Sequence, residues 1–96
     1  MNRFTLAAQV QAKAALRYTP AGLPVIDLSL RHAGTVTEAQ LPRQLDFEIP
    51  AVALGEAAQR LERVALGSML QLDGFLAPRS RRSKTLVLHI TDYRTV

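Results

Sequence analysis

Four cations and no acid occupy the six residues Arg79-Ser80-Arg81-Arg82-Ser83-Lys84, and no acid occurs between Ala77 and Ile90. A guanidinium group can bond two phosphate oxygens at once and can also lie flat on a base, so this grouping suits a nucleic-acid strand. A loop kept basic for solubility, or a basic address signal, has the same composition. The density of the cations, with no acid beside them, favours a ligand. Arg17, Arg31 and Arg43 are the other candidate phosphate contacts, since they fall at loops and strand ends of the elements described next. Against them stand Asp27, Asp46 and Glu48, which fall at outward strand positions and would repel a phosphate chain.

Other chemistry is scarce. His32 and His89 are the only imidazoles and there is no cysteine, which excludes disulfides and thiolate metal sites and leaves no metal-ligand spacing. The five glycines are isolated, so no Gly-rich phosphate loop exists, and no G-x-S-x-G occurs. The carboxylates sit near bases or at outward strand positions, without the apolar pairing that holds a catalytic proton high. No catalytic residue, metal, cofactor or small-molecule substrate is expected. Ninety-six residues, 48% of them apolar, make one domain over residues 1–96, with one core and no deep cavity. Twelve cations against eight acids give +4, a sign that points to a polyanionic partner. Residues 1–10 lack the basic start and apolar run of a signal peptide. No apolar stretch approaches the roughly 20 residues that cross a bilayer. A cytoplasmic protein with no membrane association is expected.

The elements follow from the periods. From residue 4 to residue 18 every even position is apolar and most odd ones are polar, a period of two that predicts one long strand. A strand that long is expected to bend, each half pairing with a different part of the sheet. Thr19-Pro20-Ala21-Gly22 reads as a tight turn, and Ile26, Leu28 and Leu30 as the inward side of a second strand. Residues 32–42 show no period and read as a long loop. Leu45, Phe47, Ile49 and Ala51 mark a third strand, with Pro50 requiring an edge, an end or a bulge. Between Gly55 and Gly67 the period becomes helical, with Glu56 and Arg60 spaced to pair and Gly67 placed as the helix-ending glycine. Leu70, Leu72 and Leu76 mark a fourth strand with a bulge or sharp bend at Gly74, and Leu86, Leu88 and Ile90 a fifth beyond the basic loop.

Five strands with one short helix between the third and fourth is the element order of the all-β OB-fold barrel, preferred here over an SH3-like barrel or an open sheet with one helix. In that barrel the basic loop between the last two strands flanks the oligonucleotide face. Base stacking is thinly supplied. Only five residues are aromatic, and Phe4, Tyr18 and Phe47 are in phase with the core, while Phe75 is out of phase unless the bend at Gly74 turns it. Val52, Leu54, Met69 and Val87 are apolar at outward positions, which suggests a homodimer surface.

The chain resembles the primosomal replication protein N family, small bacterial relatives of the single-stranded DNA-binding proteins, over nearly its whole length. The resemblance rests on Asn2-Arg3-Phe4-Thr5-Leu6, Thr19-Pro20-Ala21-Gly22-Leu23-Pro24, Leu30-Arg31-His32, Arg43-Gln44, Ile49-Pro50, Gly67-Ser68, Asp73-Gly74-Phe75-Leu76 and Lys84 with Leu86-Val87-Leu88-His89. It implies a dimer of OB folds that binds single-stranded DNA and helps assemble the primosome at stalled forks by contacting the restart helicase. Carried over to this sequence, it points to Arg43, Lys84 and, as a group, Arg79, Arg81 and Arg82. The family pattern has aromatic residues in the third-strand region, where this chain has Leu41 and Asp46, so DNA binding is expected to be more electrostatic. The sequence ends at Val96 with no acidic tail, in keeping with the primosomal reading over a general single-strand binder. A protein-interaction OB module, or a generic binder of single-stranded DNA or RNA, is the alternative.

Overall fold

The computed structural model describes residues 1–96. Its elements are β1 (Phe4–Lys13), β2 (Arg17–Tyr18), β3 (Pro24–Glu38), β4 (Leu41–Leu54), α1 (Glu56–Glu62), β5 (Met69–Pro78) and β6 (Leu86–Thr95). The expected bend is present in β1. Its residues Phe4 to Gln9 pair with β5 and its residues Gln9 to Lys13 with β3, and the register slips between Val10 and Ala12. The slip turns the strand so that one chain segment serves both sides of the barrel. Antiparallel pairing of β3 with β4 and of β5 with β6, and a short parallel contact of Ala51–Ala53 with Leu88–Ile90, complete the ring. Around it run β1, β3, β4, β6 and β5, with α1 between the third and fourth barrel strands. This is the OB barrel.

Its interior is filled by the inward positions of each strand, among them Val10, Ile26, Leu30, Leu70, Leu72 and Leu88. Each large side chain removed from water is worth about 1.5–3 kcal/mol. Ala58 and Leu61 bring α1 onto the same cluster, and Lys13 closes the helix from below. Its ammonium donates to the carbonyls of Glu62 (2.7 Å), Leu61 and Val64, which satisfies the orphan acceptors at the negative end of the helix dipole. Lys13 is thereby withdrawn from any ligand. Gly74 is the close-approach residue of the barrel: a Cβ there would stand 1.9 Å from the His89 carbonyl oxygen. The β5–β6 register shifts at this point, between Asp73 and Gly74, as the isolated glycine suggested. Pro50 also fits its expectation. It pairs with Ser29 on one side, one residue before β4 gains β6 on the other.

Residues 32–42 are not a loop. β3 runs to Glu38 and β4 starts at Leu41, so the two strands form one long hairpin. Ala39 and Gln40 both have positive φ (52° and 67°), the type I′ geometry whose twist suits a two-residue connection. Two features hid it. The turn lacks the Asn-Gly or Asp-Gly pair that announces such turns, and residues 33–44 are exposed on both faces, so no apolar alternation exists to be read. The hairpin tip is an arm standing off the barrel. The other strand expectation is also shortened, since residues 14–16 leave the sheet and β2 is two residues long.

The helix ends at Glu62 with Arg63 as its C-cap, so Gly67 is not its terminal glycine. Gly67 instead sits at φ +87° in the turn entering β5 and donates its N–H to the Val10 carbonyl. Arg60 does not pair with Glu56; it lies over the Tyr93 ring, 4.7 Å from the centroid, and reaches Asp92 at 3.5 Å. Three aromatic residues in phase with the core are exposed: Phe4 at 39%, Tyr18 at 61% and Phe47 at 39%. Phe47 lies where β4 has β3 but no β6 beside it, Tyr18 sits in the two-residue β2 outside the ring, and Phe4 is the first residue of β1. No helix is long and apolar enough to cross a membrane.

Candidate nucleic-acid interface

The connection between β5 and β6 is short and internally bonded. Arg79 N–H donates to the Thr85 carbonyl (2.9 Å), Ser83 N–H to the Ser80 carbonyl (3.1 Å) and Thr85 N–H to Ser83 Oγ (3.0 Å). The Ser83 hydroxyl and the loop backbone thus satisfy one another, leaving the cationic side chains to solvent. Arg79, Arg81, Arg82 and Lys84 are all exposed and none takes part in an ion pair.

The other three candidate cations are paired. Arg17 reaches Asp27 at 3.1 Å, Arg43 reaches Glu38 at 2.7 Å across the hairpin turn, and Arg31 holds Asp46 with Nε at 3.0 Å and Nη2 at 2.7 Å. The last is a two-pronged guanidinium–carboxylate pair. Its hydrogen bonds, reinforced by the guanidinium charge, hold the Asp46 carboxyl below the ordinary carboxylate range and raise the Arg31 value further. Glu48 accepts a hydrogen bond from Gln11 at 2.8 Å. The acids expected to repel a phosphate chain are therefore the partners of the cations expected to attract it: Asp27 and Asp46 neutralise Arg17 and Arg31. Such solvent-exposed pairs are weak, so a phosphate can compete for them.

Between the β1–β3 connection and the basic loop lies a groove of about 230 Å³ on the outward side of β3, β4 and β6. Its floor is apolar, from Val25, Val52, Leu54 and Val87, and its polar lining includes Arg17, Asp27, Arg79 and His89. Three of the four outward apolar residues thus share one surface, and that surface adjoins the basic loop. Val87 is buried in it. Met69 lies elsewhere, in a depression with Ala7, Gln9, Arg31 and Ala33. The sites divide likewise: the groove brings Arg17 and Arg79 together, while Arg31 and Arg43 stand out along the hairpin arm. His32 donates from Nδ1 to the Ala7 carbonyl at 2.6 Å, and its ring tilts against Phe47. His89 stacks on Phe75. The two imidazoles serve different neighbours.

An outward apolar-and-basic groove on an OB barrel is a common architecture, and the wider similarity of the chain specifies it. A family model described as another single-strand binding protein family matches residues 2–92. The replication restart protein PriB of Bordetella pertussis is 43% identical over 96 residues, covering all of this chain and 90% of that one. The chain belongs to the PriB proteins of this single-strand binding family. A PriB of Nitrosomonas europaea is 36% identical over 95 residues, covering 99% of this chain and 88% of its own length. Among solved structures, PriB from Ralstonia solanacearum superposes with a TM-score of 0.91 at 40% identity, covering 99% of this chain and 97% of that one. A wild-type single-stranded DNA binding protein from Thermus aquaticus gives 0.74 at 21% identity over 50% of its chain, a likeness of fold alone. Family membership agrees with the resemblance found in the sequence.

Phase placed Phe75 outward, as it is, but gave Phe4, Tyr18 and Phe47 as core, and all three are exposed. Phe47 is on the inward phase of β4 but beyond the covered part of the barrel, and Phe75 faces outward because Gly74 keeps the even positions of β5 inward. The signal for Phe75 was in the sequence, as its odd position between Leu72 and Leu76. The exposure of Phe47 had no local signal, because it depends on how far the hairpin overhangs.

Proposed function

We propose that this protein binds single-stranded DNA without acting on it chemically, as a component of bacterial replication restart. The observation that carries this reading is the set of four unpaired cations at Arg79, Arg81, Arg82 and Lys84 beside the groove on β3, β4 and β6. The DNA backbone follows the loop, and each neutralised phosphate releases counterions. Arg17 contributes at the groove, while Arg31 and Arg43 contribute only where a phosphate displaces Asp46 or Glu38. PriB relatives are named as replication restart proteins, and on that ground we assign this chain to the same process, in the cytoplasm, with the restart helicase and other primosome proteins as partners. A second copy of the chain completes the assembly, away from the groove.

Fluorescence anisotropy with labelled single-stranded DNA, duplex DNA and RNA of equal length tests the reading. Single strands should bind tightest, with affinity falling on added salt. Equal affinity for duplex, or no binding at micromolar protein, would leave a protein-interaction module as the better description. Sedimentation equilibrium should give twice the 10.6 kDa chain mass.

A further inference from the structure

Phe75 and His89 are directly opposed across the β5–β6 ladder on the outward side of the barrel. Their rings stack with centroids 4.8 Å apart and planes 13° apart, and Phe75 remains 37% exposed. The ladder holds them firmly, since the Gly74 backbone is already against the His89 carbonyl and cannot move closer. His89 and Leu54 line both the groove that contains Arg17 and Arg79 and a second depression of about 510 Å³ that contains Phe75, Glu56 and Thr91. The two hollows therefore adjoin, one end cationic and the other aromatic. A single strand is divided in the same way, with phosphates along one side and bases along the other. Glu56 is the only acid lining the aromatic hollow; it repels a phosphate and not the edge of a base, so the backbone belongs on the Arg79 side.

We propose that the Phe75–His89 pair is a stacking platform for a base of single-stranded DNA whose phosphates run along Arg79 and the basic loop. This deepens the single-strand reading and rests on it. Every base presents a π-face, so the platform adds affinity without selecting a sequence.

The chain has no tryptophan, which makes Phe75→Trp a lone indole reporter at the platform. Titration of this variant with oligo(dT) should quench the indole emission, while an abasic strand of the same length should bind through its phosphates and leave the emission unchanged. Binding itself is followed in parallel by the anisotropy of a labelled strand. Phe75→Leu should weaken oligo(dT) binding by roughly tenfold, the order expected from losing one stacked base, with the salt dependence and the abasic-strand affinity unchanged. His89→Gln provides the same comparison should a Phe75 variant fail to fold. Unchanged emission while anisotropy shows oligo(dT) bound, or parental oligo(dT) affinity in both Phe75→Leu and His89→Gln, would overturn the platform and leave single-strand binding standing. If the parent binds no strand at all, single-strand binding falls, and the platform with it.

Discussion

The hairpin arm of β3 and β4 and the loop between β5 and β6 both carry arginines, and they dispose of them in opposite ways. On the arm, strand pairing sets cations beside acids: Arg31 lies diagonally across the ladder from Asp46, and Arg43 reaches back over the turn to Glu38. In the loop the nearest chain neighbours are serines, of which Ser83 bonds the backbone, and no acid lies between Ala77 and Ile90. The arm is close to neutral at its surface although it is rich in charge, while the loop is a concentrated positive field. Counting arginines therefore overstates the arm and understates the loop. A cation is freely available to a polyanion where the fold sets no carboxylate beside it, and elsewhere only by displacing one.

The largest effect is expected from the residue that holds the loop in place. Gly74→Ala puts a methyl group 1.9 Å from a backbone oxygen, so the β5–β6 ladder must open. We expect a loss of about 3 kcal/mol in urea unfolding, the upper end of what overpacking costs. A loss below 1 kcal/mol would mean the ladder is pliable and the loop loosely held.

Next comes a direct contest between the two regions. Alanine at Arg79, Arg81, Arg82 and Lys84 should flatten the log–log salt slope of single-strand binding from about −3 toward zero, at roughly −0.7 per phosphate contact. Alanine at Arg17, Arg31 and Arg43 should change the slope by less than about 1, because those charges are already compensated. Neither set should unfold the protein, since surface changes typically cost under about 0.5 kcal/mol each. Equal slopes for the two variants would erase the distinction between arm and loop.

A smaller change converts one region toward the other. Asp46→Asn frees Arg31 and should steepen the slope by about 0.7, with a few-fold gain in affinity at low salt. Asp46→Trp adds an exposed ring at the same place and should tighten binding further, with little further change in slope. If Asp46→Asn leaves the slope as it was, Arg31 does not face the strand.

The smallest effect is electrostatic and local. Hydrogen bonds from Arg31 lower the Asp46 value in the folded protein, so this pair stabilises the fold above the unfolded carboxyl value of about 3.9. That contribution disappears as pH falls through the lower folded value. A carboxyl titration followed by NMR should place Asp46 below ordinary aspartates in the parent and return it to their range in Arg31→Ala. An unshifted Asp46 in the parent would mean the pair is open in solution.

The barrel was legible because its signals are local. Alternation at Ile26, Leu28 and Leu30, the change to helical period after Gly55 and the isolated Gly74 each follow from one covered face or one tight contact. The arm was not, for the corresponding reason: residues 33–44 have no covered face to impose a period, and Ala39-Gln40 carries no turn signature. The loop cations were legible as a group with no acid nearby in the chain. The pairing of Arg17, Arg31 and Arg43 was not, because their partners Asp27, Asp46 and Glu38 are brought near by strand register.

By itself the sequence determined a small cysteine-free five-stranded barrel with one helix, a family resemblance and a basic loop, all properties of near neighbours in the chain. Only the tertiary structure decided which charges are spent on each other, which aromatic rings are left uncovered, and that Arg17, Arg79, Val52, Leu54, Val87 and His89 line one groove. Those outcomes depend on register and on where the barrel ends. A strand shifted by one residue would keep every local pattern in the sequence and turn each of these side chains to the opposite face.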